Sequence, residues 1–417
     1  MIRPRATTQQ TMASPCPFFE VEGLAFFRER IDMKKRWTAA AVLAALLLLS
    51  LFGCGGSGEN PNESQPAPPP ETASTGSAPE EPPAEAHNPA DFRMKQESSV
   101  RNEKFREQEE FGAFLGMAES CYLIPGLNEA MTPQGISWSE KTGLAYVTSY
   151  SMLDTISSAI SAVDPKTGEF AAEYYLFNPD GTPFTSHVGG IAVVGERVYV
   201  SAKLDNDGSY SIADIPLSDL PLSGSHNVTV KRTIPLPVSP SFLNYSQGVL
   251  WVGNFYHPKG DYNLSTGMKF TTPSADGDYG CYILGYATDG GEIGISEGQT
   301  YPIPSLVLVA PDRIQGVVKV GDTVWLSQSY GRTANSTLLA YEITGQGKDG
   351  LTVPVDGVDV TAYLLDSKNQ TAAVTAMPMT EGLCLGPDGS VLVLFESGSS
   401  RYKDGKYRTD HVWKMTP

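Results

Sequence analysis

Five copies of one pattern fill the last 297 residues of this 417-residue chain. Each opens with a polar residue and a small or apolar one, runs on as an alternating apolar strand, turns tightly, and returns as an aromatic-rich strand. The copies are PQGISWSEKTGLAYVTSY (133–150), HVGGIAVVGERVYVSAK (187–203), SPSFLNYSQGVLWVGNF (239–255), IQGVVKVGDTVWLSQSY (314–330) and TEGLCLGPDGSVLVLFES (380–397). Counted from Gly190, Phe242 and Gly316, the aromatic residues Tyr199, Trp251 and Trp325 fall at one offset. Tyr146 takes the same role after a turn two residues longer. A third apolar stretch follows each copy (SSAISAVD, YSIADIPL, CYILGYATDGG, STLLAYEITG, HVWKM), and a fourth leads to the next (AAEYYLF, VKRTIPL, SLVLVAP, TAAVTAM).

Four short strands per unit, with glycine-rich turns, predict an all-β chain folded as a β-propeller of five four-stranded blades. The fifth unit stops after its third strand, and CYLIPG (121–126) stands before the first copy where a fourth strand belongs. A circular array closed in this way leaves no open sheet edge between its last and first blades. The units are long, with the excess in two insertions, His257–Asp278 and Gly345–Gln370; a sixth, irregular blade inside them is the alternative.

Upstream of the repeats the composition changes. Met33-Lys34-Lys35-Arg36 precedes an apolar run from Trp37 to Phe52, shorter than the roughly 20 residues of a membrane-spanning helix. A basic start and an apolar stretch of this length read as a secretory signal over 33–53, with 1–32 upstream of the expected start at Met33. The ending Leu51-Phe52-Gly53-Cys54 resembles the lipobox of bacterial lipoproteins. That resemblance implies cleavage before Cys54, diacylation of Cys54, and a mature protein held on the extracytoplasmic face of the cell membrane. Residues 54–93 are rich in Pro, Glu and Ser and read as a disordered, semi-rigid tether. The charged stretch 94–118 reads as a solvated helix leading into a propeller over 119–417.

The chain carries a formal net charge of −17. Residues 1–53 hold seven basic and four acidic residues, so the remainder stands at −20. Such a balance excludes nucleic acid as an expected partner. Of the five cysteines, Cys121, Cys281 and Cys384 lie in the repeats, without the spacing of a zinc module; one disulfide plus a thiol and three thiols are both compatible. No GxSxG elbow, HExxH, P-loop or GxGxxG stands in a strand–helix context, and LDNDG (204–208) is too incomplete for a calcium loop.

In a propeller, the loops entering the inner strands and those leaving the second strands open on one face, so their polar residues converge. The entering set is Gln134, His187, Ser241, Arg313 with Gln315, and Glu381. The leaving set is Tyr150, Lys203 with Asn206, Asn254 with Tyr256 and His257, Ser329-Tyr330-Gly331-Arg332, and Glu396 with Arg401 and Tyr402. His187 is a candidate general base if a carboxylate stands nearby. Glu381 and Glu396 are candidates for paired-carboxylate chemistry or for Ca²⁺, with a structural pairing of Glu396 to Arg332 or Arg401 the favoured reading. Arg332 is a candidate anchor for a carboxylate or phosphate.

The Gln/Glu-Gly strand openings faintly resemble the gluconolactonase/regucalcin group. That resemblance implies a metal held by carboxylates and amides in the central channel, and lactone hydrolysis. The residues themselves point first to a lipid-anchored propeller that binds an extracellular glycan or peptide in a central polar pocket. An extracytoplasmic hydrolase or lactonase using the same pocket, and a structural scaffold, are the alternatives.

Overall fold

The computed structural model describes residues 92–417, apart from 154, 204–209, 261, 289–290 and 345–349. The leader, Cys54, the tether through residue 91 and the LDNDG loop lie outside the described residues. The alternating pattern of each repeat becomes one blade, a sheet whose strands run antiparallel from the axis outward. The inner strands are Thr132–Trp138, Ile191–Val194, Phe242–Ser246, Ile314–Val320 and Thr380–Leu385, defining blades 1 to 5. Blade 5 takes its outermost strand from the other end of the domain: Ala118–Leu123 pairs antiparallel with His411–Met415. Blade number is therefore five, and among the described residues the two insertions form no sixth blade.

Each inter-blade space has its own apolar core. Between blades 1 and 2 it includes Tyr146, Ile160, Val193 and Val200; between blades 3 and 4, Phe242, Trp251, Leu308 and Leu326. The aromatic residues at the shared repeat offset are buried members of these layers, with Tyr146 and Tyr199 fully enclosed and Trp251 and Trp325 nearly so. Cys121, Cys281 and Cys384 are free thiols, which settles the open question of their pairing.

The connections between third and fourth strands do what the repeat does not foreshadow: those of blades 2 and 4 add strands to the preceding blade. Gly224–Thr229, from blade 2, pairs parallel with the outer strand of blade 1, Phe170–Phe177. The hairpin of Thr352–Val355 and Val358–Leu364, from blade 4, pairs parallel with the outer strand of blade 3, Leu306–Ala310. Outer edges that would otherwise expose unpaired N–H and C=O groups are thereby covered.

The charged lead-in differs from the expected solvated helix. Residues 92–103 run without regular structure, followed by two 3₁₀ turns and a single short helix, Gly112–Met117. The reason lies in three phenylalanines within the charge run. Phe105, Phe111 and Phe114 are fully buried, and Phe105 meets the Trp413 ring edge-on at 5.7 Å. Asp410 clamps the extended part, accepting from Ser98 Oγ at 2.8 Å and from the Ser99 and Val100 amides at 2.9 and 3.0 Å. Against the opposing effect of burial, the contact with His411 Nδ1 at 2.7 Å, together with these three bonds, holds its carboxyl down at about 2.

At the axis, glycine lets the inner strands meet. A Cβ on Gly190 would lie 2.1 Å from the Leu243 nitrogen, one on Gly135 2.6 Å from Gly190 Cα, and one on Gly316 2.8 Å from Glu381 O. Asn244, fully buried, reaches across the axis from blade 3 to blade 5 and donates to Leu383 O at 2.8 Å. The channel is thus shut at this level. Gly190→Ala is expected to destabilise the domain by about 2–3 kcal/mol or more in denaturant unfolding, because backbone cannot yield to the methyl. Gly294→Ala, at a site with open space around it, should change little.

Candidate functional site

Above the closed axis lies a cavity of about 640 Å³, within the range of small-ligand pockets, roughly 300–1,000 Å³. Its floor is made by one local device used three times. The ladder between inner and second strand slips at Pro133/Gly135, Ile314/Gly316 and Thr380/Leu383. A bulge of this kind leaves a residue outside the pairing and re-aims its side chain. The residues so released are Gln134, Gln315 and Glu381, each directly before its axial glycine, and all three line the cavity.

Glu381 is buried at the bottom, and Glu396, just past the second strand of the same blade, stands within hydrogen-bonding reach of it. Gln315 Nε2 donates to Glu381 Oε1 at 3.3 Å, while Gln134 Nε2 and the Tyr402 hydroxyl donate to Glu396 Oε2 at 2.9 and 3.0 Å. Burial pushes the Glu381 carboxyl well above its ordinary range, and the neighbouring Glu396 charge adds to this. Burial also raises Glu396, to about 7, against the opposing pull of Tyr402, Gln134 and Arg401. Two carboxyl groups in contact titrate as a pair, and here the pair shares a proton at neutral pH.

The wall beside this floor is cationic and aromatic. Arg401 bonds the Tyr150 hydroxyl and lies over both the Tyr150 and Tyr402 rings, at 5.4 and 5.1 Å. His187 tilts against Tyr150 with ring centroids 4.0 Å apart. Desolvation by the surrounding wall, with the Arg401 charge, lowers the imidazole to about 4. The residue is exposed where it lines the cavity, and at neutral pH the ring is neutral. Val188, next in sequence, holds φ at 44°. That is a left-handed conformation β-branched residues rarely adopt, and such strain clusters at functional sites.

Of the residues singled out from the sequence, the cavity brings together Gln134, Tyr150, His187, Ser241, Gln315, Ser329, Tyr330, Gly331, Glu381, Glu396, Arg401 and Tyr402. Others stand elsewhere. Asn254 is buried and braces backbone, donating to Gly280 O at 3.0 Å and accepting from Tyr282 N at 2.7 Å. Arg332 turns outward after Gly331, whose φ of 83° redirects the chain, and pairs with Asp404 at 2.8 Å. Its guanidinium also lies over the Tyr402 ring at 4.9 Å, so it stands beside the cavity, engaged by Asp404 and Tyr402, rather than in its lining. Arg313, Tyr256 and His257 do not line the cavity. Asn206 and the side chain of Lys203 lie outside the described residues.

Four expectations about chemistry also change. Among the described residues Glu396 forms no ion pair with Arg332 or Arg401, because Gln134, Tyr402 and Glu381 occupy it. No carboxylate partners His187. Carboxyl groups in contact are also closer than the roughly 5–9.5 Å that glycoside hydrolysis needs between its acid and its base or nucleophile. Hard oxygen donors suit Ca²⁺, but the two amides present N–H rather than oxygen to the carboxyls. The set as it stands fits a proton, and calcium does not fit without turning both amides.

Sequence reasoning missed Phe255 and Tyr262, which line the mouth. Tyr262 belongs to an insertion outside the repeat, where alignment of the copies has no power. Phe255 closes its copy where the first and fourth copies end in Tyr150 and Tyr330, and that matching aromatic position is the signal that could have found it.

The raised carboxyls set a pH dependence. Their stabilising contribution is full below the unfolded value, near 4.5, and is lost as pH rises through the folded values, from about 7 upward. The melting temperature of the wild type is therefore expected to fall by a few degrees between pH 5 and pH 8 relative to Glu381→Gln. Parallel pH profiles in differential scanning calorimetry would show that the pair holds no proton.

No family model and no curated protein matches this chain. Solved structures similar to it include a putative oxidoreductase (glucose dehydrogenase) from Thermus thermophilus, at 13% identity and TM-score 0.37, covering 72% of this chain and 99% of that one. A GH43_1 enzyme from Xanthomonas citri complexed with xylose is similar at 13% identity and TM-score 0.36, covering 74% and 93%. A streptogramin B lyase is similar at 13% identity and TM-score 0.32, covering 72% and 97%.

Proposed function

We propose that this chain is a lipid-anchored, extracytoplasmic propeller whose central cavity binds a polar extracellular ligand of the glycan or peptide class. The observation that carries this reading is the floor: Gln134, Gln315, Glu381, Glu396 and Tyr402, drawn from three blades, form one hydrogen-bonded set beneath an open mouth. Buried polar groups are costly unless paired, and the partly open Glu396 offers acceptors upward that a ligand can use. Combined glycan and peptide arrays test it. Ligands retained by the wild type should be lost at least tenfold by Glu396→Gln, and binding unchanged in that variant would overturn the cavity assignment.

One observation favours hydrolysis instead. His187 is neutral and Glu396 titrates near 7, the range in which a general acid or base works best at physiological pH. A panel of lactones and esters distinguishes the readings: turnover abolished by His187→Gln would establish the hydrolase, and no turnover with intact array binding would establish the binding protein.

The anchor rests on Met33–Cys54. Detergent phase partitioning should place the wild type in the detergent phase and Cys54→Ser in the aqueous phase; equal partitioning would remove the lipid.

A further inference from the structure

The mouth of the cavity carries exposed aromatic rings that the floor does not explain. Tyr262 and Tyr330 are 51% and 45% exposed, and both line the cavity. They come from different blades and are steadied by their neighbours. Tyr262 sits in a backbone bridge with His257 and meets Phe255 edge-on at 4.8 Å. Tyr330 lies nearly parallel to Phe255 at 6.4 Å and packs against His257 at 4.5 Å. The result is two tyrosine rings braced by Phe255 and His257 and set at a steep angle to each other beside a hydrogen-bonding socket.

We infer that Tyr330 and Tyr262 form a second subsite at the mouth of the cavity, on which one ring of a neutral oligosaccharide stacks while another ring hydrogen-bonds to the floor. This rests on the reading of the cavity as a ligand site and narrows its ligand to saccharides of two or more rings. A pyranose has an apolar C–H face and a polar edge, matching an aromatic face beside amide and carboxyl groups. Three observations select this occupant. The cavity's arginine is already engaged, lying over Tyr150 and Tyr402, and the surrounding charge of the chain past residue 53, −20, repels polyanions. Peptide recognition commonly adds a strand to a sheet edge, whereas here the inner strands are paired within their blades and only their ends and loops reach the socket. The bulged glutamines and Glu396 offer planar, two-atom groups of the kind that engage vicinal hydroxyls.

Calorimetric titration with malto-, cello-, xylo- and chito-oligosaccharides of one to six rings tests the subsite. In the series that binds, affinity should rise at least tenfold from one ring to two or three. Tyr330→Ala and Tyr262→Ala should erase that rise, so that longer chains bind no more tightly than a single ring, while Tyr330→Trp should keep it. Melting temperatures near wild type confirm that these surface variants fold. Length-dependent binding unaffected by either alanine variant overturns the subsite, and if Glu396→Gln still abolishes binding, the cavity reading stands without it. Failure of every saccharide to bind overturns the saccharide assignment; peptide binding lost in Glu396→Gln would then leave the cavity reading intact.

Discussion

With a Cβ on Gly190 only 2.1 Å from the Leu243 nitrogen, nothing but backbone separates the inner strands of neighbouring blades. That contact sets the geometry above and below it. Five strands drawn this close leave no open bore, and Asn244 fills what remains by bonding across the axis to Leu383. Immediately before three of the axial glycines the ladder slips, and the displaced residue swings toward the open face. Closure and presentation are thus one device: the glycine permits the approach, and the bulge beside it delivers Gln134, Gln315 or Glu381 to the cavity floor.

The floor's electrostatics follow from the same crowding. Glu381 is buried against Glu396, so its carboxyl is held in the protonated form by that burial and by the neighbouring charge, with an amide donor from Gln315. Arg401 could neutralise the pair only by leaving Tyr150 and Tyr402, whose rings it covers. The outcome is a polar cavity in which the singly protonated carboxyl pair of the floor stands beside a cationic wall, inside a strongly acidic protein.

Much of this was legible in the chain. The dipeptides Gln134-Gly135, Gln315-Gly316 and Glu381-Gly382 mark the axis because a polar side chain beside a residue without one is an odd choice inside an apolar strand. Closure through 121–126 could be read because a missing fourth strand leaves an unpaired edge. What escaped lay outside the period of the repeat. Phe105, Phe111 and Phe114 are spaced six and three apart, a stripe no single helix buries, so the surrounding charges hid them. Asn254 and Arg332 occupy loop positions that converge in an ideal blade, but one side chain turns inward to backbone and the other outward after a left-handed glycine.

The edge strands show why the repeat could not reveal them. A connection from the third to the fourth strand needs only a short turn, and in blade 1 six residues suffice, between Ala159–Val163 and Phe170–Phe177. In blades 2 and 4 the same connection is long enough to return as a strand, and each time it lands on the preceding blade. A parallel partner bonds the exposed edge as surely as a fifth antiparallel strand would, yet it leaves no trace in the register of its own repeat. The copies encode the axis, where spacing is fixed by backbone contact. The rim is set by insertions free of that constraint, and there Tyr262 joins Phe255 and Tyr330 to complete the mouth of the cavity.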